Sequence, residues 1–246
     1  MNADPAAQLR LLDLQAADTA LAQLAHRRAN LPELVALAER ERRANELHND
    51  IVDAETLLAD IVDEQRKLEN EVDAVRTRAG RDEQRLQSGG LPAKELESLQ
   101  HEVSSLARRQ TALEDDLLEV MERQEEADAR LIQLTDARTA LEDESAELAS
   151  ARDAAFAEID AAVVQRTAER AAIAGELPAD LLALYEKARE HGGGIGAAML
   201  RQRRCEGCRI ELSGAELSAV RAAEPDAVVR CEECRRILVR TAESGL

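Results

Sequence analysis

All four cysteines of the 246-residue chain fall in its last 42 residues, as two pairs of one pattern: Cys205-Glu206-Gly207-Cys208 and Cys231-Glu232-Glu233-Cys234. A two-residue gap lets a tight turn present both sulfurs of a pair to one ion, and four thiolates suit tetrahedral Zn2+. The pairs therefore predict one structural Zn2+ held by Cys205, Cys208, Cys231 and Cys234. A thioredoxin-type redox pair needs a βαβ setting that is absent here, and two matched pairs favour one shared ion over two separate sites or an iron-sulfur cluster. Catalytic zinc requires an open coordination position, which four cysteines close.

Strand-like sequence lies beside each pair: Ile195 to Leu200 before the first, Val228-Val229 before the second and Ile237-Leu238-Val239 after it. This is the layout of a small β zinc ribbon over residues 195–246, with residues 213–224 as a loop or short helix between the knuckles. Such a module, without aromatic residues for a core, is expected to be unfolded without its metal. Arg204, Arg209, Arg235 and Arg236 adjoin the ligands, and Arg230 and Arg240 extend the cluster. They can offset the negative charge of a Zn(Cys)4 centre. The alternative is that Arg201, Arg203, Arg204, Arg230, Arg235, Arg236 and Arg240 contact phosphate or a partner, although interleaved glutamates dilute that rim and no aromatic residue offers base stacking.

The rest of the chain must position this module. From residue 47 to 166 apolar side chains recur at heptad spacing on both sides of Gly89-Gly90, the pattern of two long helices. Reflection through residue 89 sets Ile51 against Ala127, Leu58 against Val120 and Leu47 against Leu131, as an antiparallel coiled coil requires; a slip of one heptad fits the same pattern. The fold class is thus mainly α: a long antiparallel coiled-coil hairpin over residues 1–174, turning near 88–93, a short helix and Gly-rich junction over 175–194, then the ribbon. At ~1.5 Å per residue the ~80-residue returning arm would reach on the order of 120 Å. The same reflection places a first helix, opened by Pro5, against residues 147–173. Gln65, Gln110, Gln124, Arg138, Ser145, Arg152 and Arg166 interrupt the seam as register-setting polar residues. Gly192-Gly193-Gly194 reads either as a hinge or as the entry to a strand.

The net charge is −18, and its distribution matters more than its size. From Met199 onward nine arginines face eight acids, whereas the preceding 198 residues carry 23 bases and 42 acids. The hairpin should repel nucleic acid and anionic membrane. No apolar run spans a bilayer, the first residues lack the plan of a signal peptide, and the cysteine pattern suits a reducing compartment; a cytoplasmic location is expected.

Gly-Leu-Pro-Ala-Lys-Glu at the bend, Leu177-Pro178 with Tyr185, then Cys205-x-Gly207-Cys208 with Leu212, and Cys231-x-x-Cys234 with Arg236 and Leu238, together resemble the bacterial coiled-coil proteins with a C-terminal C4-type zinc ribbon. The resemblance spans nearly the whole chain, and Arg235 stands where it would place Gly. It implies an adaptor-like role in the cytoplasm, and some relatives look like flagellar or secretion-assembly factors that bind proteins or nucleic acid. Two functions follow as expectations. One is a non-enzymatic adaptor, a monomer or weak homo-oligomer binding proteins through ribbon and rod; the other is a nucleic-acid-binding or transcription-linked protein using the arginine-rich ribbon. No Ser/His/Asp or Cys/His arrangement can be assembled without a zinc ligand.

Overall fold

The computed structural model describes all 246 residues and contains five helices and four short strands: α1 (Pro5–Ala29), α2 (Pro32–Ser88), α3 (Ala93–Glu176), α4 (Ala179–His191), β1 (Ala197–Arg201), β2 (Arg204–Cys205), α5 (Gly214–Ala222), β3 (Val229–Arg230) and β4 (Ile237–Val239). No helix is long and apolar enough to cross a membrane. Contacts group the chain into two compact units, Val35–Ala149 and Met1–Leu34 with Ser150–Leu246. This grouping cuts across the divisions expected at 174 and 194, because α1 is a separate helix that packs on the strands.

Within Val35–Ala149 the heptads form the expected antiparallel pair, but one heptad from the reflected register. Ile51, expected opposite Ala127, is buried with Leu47 and Leu134. Ala127 instead shares a cluster with Leu58, Ile61 and Val120. The flanking ion pairs Arg76–Glu114 and Glu64–Arg123 fit the same shift. The cause lies at the bend. Gly89 and Gly90 take positive φ values of 72° and 83°, and Pro92 delays the second helix to Ala93, so the pivot falls beyond residue 89. A seven-residue slip keeps every a and d side chain on the seam, so the repeat alone cannot resist it. Several polar seam residues bond along their own helix: Gln65 to Glu69, Gln110 to Glu114, Ser145 to the Leu141 carbonyl and Arg166 to Glu169. The bonds of Gln65 and Arg166 are exposed and those of Gln110 and Ser145 half-buried, so none of these four polar groups is left unpaired.

In the other unit α1 begins at an Asp4 cap, whose carboxylate accepts from the Ala6 N–H at 2.7 Å, with Pro5 at the first position. It runs against the end of α3: Arg10 pairs with Glu176 at 2.5 Å, and Arg28 pairs with Asp160 and lies 4.2 Å over the Phe156 ring. Reflection placed Asp18 opposite residue 160, yet Asp18 bonds Arg170. The break at Asn30 and Leu31 frees α1 from the hairpin's register and lets it slide.

The ribbon sheet has the order β2-β1-β4-β3, with β1 and β4 parallel and the outer pairings antiparallel. The residues between the knuckles fold as α5, opened by a capping box in which Ser213 and Glu216 satisfy each other's backbone N–H. One sheet face joins Ala197, Ile237 and Val239 to Leu11, Leu14, Leu181 and Tyr185 in a single core; the other face, with Ala198, Leu200, Leu212, Val220 and Leu238, encloses the cysteines. The chain start is tied in as well: the Ala3 N–H donates to the Asp226 carbonyl and the Val228 N–H to that of Met1.

Candidate metal centre

Each cysteine pair sits on a turn of the same build. The Arg209 N–H donates to the Cys205 carbonyl at 2.7 Å and the Cys205 N–H to that of Ile210 at 3.0 Å; the second knuckle repeats this with Arg235 onto Cys231 at 2.9 Å and Cys231 onto Arg236 at 3.0 Å. The residue after each second cysteine takes a left-handed backbone, Arg209 at φ 63° and Arg235 at φ 61°. The missing glycine at 235 therefore leaves the turn intact, at a cost of about 1 kcal/mol for a side chain in that region. These turns bring all four sulfurs within 4.8 Å of one another. Cys205 Sγ lies 3.8 Å from that of Cys234, and Cys208 Sγ 3.8 Å from that of Cys231. A tetrahedron with Zn–S bonds of about 2.3 Å has edges of about 3.8 Å, so the cage has the size of one zinc ion. The separation is far beyond a disulfide bond of about 2.05 Å.

The electrostatics call for a cation. Burial pushes the Cys205 thiol up to about 12, with the Cys231 and Cys234 sulfurs adding to the rise against the Cys208 and Gly207 N–H groups. Burial raises Cys231 too. Burial also acts on Cys234, but donors led by the Arg236 N–H outweigh it and bring that thiol below its ordinary value. Four sulfurs this close cannot all ionise without a positive charge between them. A bound Zn2+ would supply that charge and fasten the two knuckles together.

Residues 14–193 match the CT398-like coiled coil hairpin domain, and residues 204–238 match the C4-type zinc ribbon domain. The chain belongs to the CT398-like coiled-coil hairpin family. An uncharacterized protein of Mycobacterium tuberculosis is 43% identical over 241 residues, 98% of each chain. A solved structure from Mycobacterium smegmatis is 39% identical with a TM-score of 0.87, the match covering 98% of this chain and 100% of that one. CT398 from Chlamydia trachomatis has the same fold at 19% identity, with a TM-score of 0.69 over 96% of this chain and 98% of its own.

In this CT398-like chain most of the ribbon arginines already have partners. Arg236 donates to the carbonyls of Ile195, Gly207 and Gly192, at 3.2, 3.0 and 2.5 Å. Arg240 donates to those of Ala223, Glu224, Pro225 and Ala227. Arg230 reaches the Arg235 carbonyl, Arg203 that of Gly245, and Arg201 pairs with Glu243. Many loop carbonyls outside strands lack backbone donors, and a guanidinium with five N–H groups satisfies several at once. Arg236 and Arg240 are thus internal struts; of the seven, Arg204 and Arg235 alone have side chains without such a bond.

Sequence reasoning missed a polar joint that seats the ribbon. Tyr185 aims its one hydroxyl proton at Asp18, 2.7 Å away, with the Gln15 side-chain oxygen as a second, longer acceptor at 3.1 Å. The Gln15 side-chain oxygen also accepts the Gly196 N–H at 2.7 Å, while its amide donates to the Gly194 carbonyl. Arg170 and Arg189 close on the same buried Asp18. Of the two readings of the glycine run, the entry to a strand holds: it forms a turn, pinned at Gly194, that leads into β1. A Cβ on Gly196 would come within 2.8 Å of the Tyr185 ring. Polar residues on an amphipathic helix read as solvated; only the Leu177-Pro178 and Tyr185 signature hinted at the joint.

Burial, then the bond to Asp18 and its charge, raise the Tyr185 hydroxyl well above its ordinary value, against the weaker pull of Arg189 and Arg170. The unfolded chain then loses this proton first, so stability is full below pH ~10 and falls as the pH rises above it. Tyr185 is the single tyrosine. In alkaline titration its tyrosinate absorbance should therefore appear together with unfolding, and Tyr185→Phe should flatten the pH slope. Ionisation at pH ~10 in the folded protein would contradict the joint.

Proposed function

We propose that the protein is a non-enzymatic, zinc-dependent adaptor that binds protein partners through its ribbon and its helical hairpin, in the reducing cytoplasm. The observation that carries this reading is the cage of four cysteines, whose sulfurs fill a tetrahedral shell and leave no position for a reacting water. A metal held this way supports a surface rather than a reaction. The four histidines are scattered at 26, 48, 101 and 191, and Arg203, Arg230, Arg236 and Arg240 serve backbone carbonyls of the ribbon and its junction.

Immobilised full-length chain and its Cys205→Ser/Cys208→Ser variant, exposed to native lysate, test this. Partners lost with the variant belong to the ribbon, and those retained belong to the hairpin. Retention of nothing above bare beads, or substrate turnover abolished by a substitution outside the ribbon, would overturn the reading. A nucleic-acid role has one observation in its favour, the unpaired side chains of Arg204 and Arg235. It predicts low-salt RNA or DNA binding that falls steeply with salt and is lost in Arg204→Ala/Arg235→Ala.

A further inference from the structure

The two flanks of the Val35–Ala149 hairpin differ sharply. On one flank Glu64, Glu71 and Arg78 pair across with Arg123, Arg109 and Glu102, and Leu57 alone among large apolar residues is exposed beside them. Arg76 and Glu114 mark the other. Val62 stands two heptads before Arg76 and Met121 one heptad after Glu114, so both share that second flank. Val52 joins Val62 on α2 through the i, i+3, i+7, i+10 row, and Leu118 and Ile132 join Met121 on α3 in the same way. All five are exposed, Leu118 to 58% and Ile132 to 61%.

Their levels follow from the seam. Ile51 packs with Leu134, which brings Val52 level with Ile132; Ile61 packs with Val120, which brings Val62 level with Met121 and Leu118. The flank thus carries two apolar ends separated by ten residues of helix, about 15 Å. Between them lie Glu55, Glu125 and Asp128 around the small side chain of Ala59. Glu64, Glu71 and Glu114 each have an arginine across the hairpin, whereas these three acids have no basic partner.

We propose that this flank is the docking surface for an amphipathic helix of a protein partner, with apolar anchors about ten residues apart and Lys or Arg between them. The charge chooses the occupant. A second copy placed by a two-fold axis would set Glu55, Glu125 and Asp128 against their own equivalents, where like charges repel. A basic helix neutralises them while its anchors cover the apolar ends, in the manner of a helix laid into a groove. The proposal rests on the adaptor reading and names the partner chemistry for the hairpin.

The test uses the zinc-loaded full chain and a labelled synthetic helix with two Leu clusters about ten residues apart and Lys between them, followed by fluorescence anisotropy. A matched peptide with Glu for Lys serves as comparison. Tight binding of the Lys peptide alone is expected, weakened by salt and reduced about tenfold or more in Val62→Ser/Met121→Ser/Ile132→Ser. These positions are exposed, so the variant should keep its helical circular dichroism and melting temperature. Equal binding of both peptides, unchanged binding by the variant, or none at all overturns the proposal. So does sedimentation of the wild type as a dimer that the triple Ser variant dissolves, which would give the flank to a second copy. Any of these results leaves ribbon-dependent partner capture intact, so the two readings fail separately.

Discussion

Cys231→Ser should unfold the zinc ribbon at room temperature while the Val35–Ala149 hairpin stays folded. The ribbon's own core is small: Ala198, Leu200, Leu212, Val220 and Leu238 around the buried sulfurs of Cys205 and Cys231. Zinc binding in such modules supplies of order 10–16 kcal/mol, which is the free energy that holds the knuckles against chain entropy. Losing one ligand of four removes most of it and leaves three sulfurs crowded in an apolar pocket. Ile237 and Val239 share a core with Leu11, Leu14 and Tyr185, so the loss should reach α1. Hydrogen exchange checks this directly: amides of residues 197–239 should exchange orders of magnitude faster, α1 should lose part of its protection, and residues 47–75 should not change. A ribbon that keeps its protection in Cys231→Ser would show that the strands stand without the ion.

The second large effect is at Asp18. Its side chain is 2% exposed and faces Arg170 and Arg189 as well as the Tyr185 hydroxyl. Asp18→Ala leaves two guanidiniums with only the half-exposed Glu186 between them, and the phenol with only its longer bond to Gln15. Removing one partner of a fully buried charge pair costs about 3–5 kcal/mol; since both arginines are partly solvated, roughly 3 kcal/mol is expected here. That corresponds to a fall in melting temperature of about 6–12 °C for a unit of this size. Asp18→Asn should fall between wild type and Asp18→Ala, because the amide keeps an acceptor and loses the charge. Exposed pairs provide the control: Arg76→Ala, which opens a bridge to Glu114 with both side chains exposed, should cost no more than ~1 kcal/mol. An equal effect at both positions would mean that Asp18 is not buried as described.

Much of this architecture was legible because two of its signals are strongly constrained. Heptads on either side of Gly89-Gly90 allow little besides a hairpin, and paired Cys-x-x-Cys motifs allow little besides a shared metal. The register was less determined, since a slip of seven residues moves Ile51 from Ala127 to Leu134 without taking any apolar residue off the seam. The docking of α1 was harder still. Reflection placed it against the end of α3, but Gln15 and Asp18 carry no periodic signal, and their partners lie more than 150 residues away. The arginines misled for a related reason. Charge beside a metal motif reads as an outward rim, yet Arg236 and Arg240 turn inward to loop carbonyls that converge only once the loops are folded.

The ribbon's fold depends most on one ion shared by the four thiolates. Elemental analysis of freshly purified full-length chain, with its thiols counted by a chromogenic reagent before and after chelation, measures this directly. One zinc per chain is predicted, with all four cysteines slow to react until the metal is withdrawn. Protein with no bound metal, or thiols that are paired in disulfides or react freely at the outset, would contradict it.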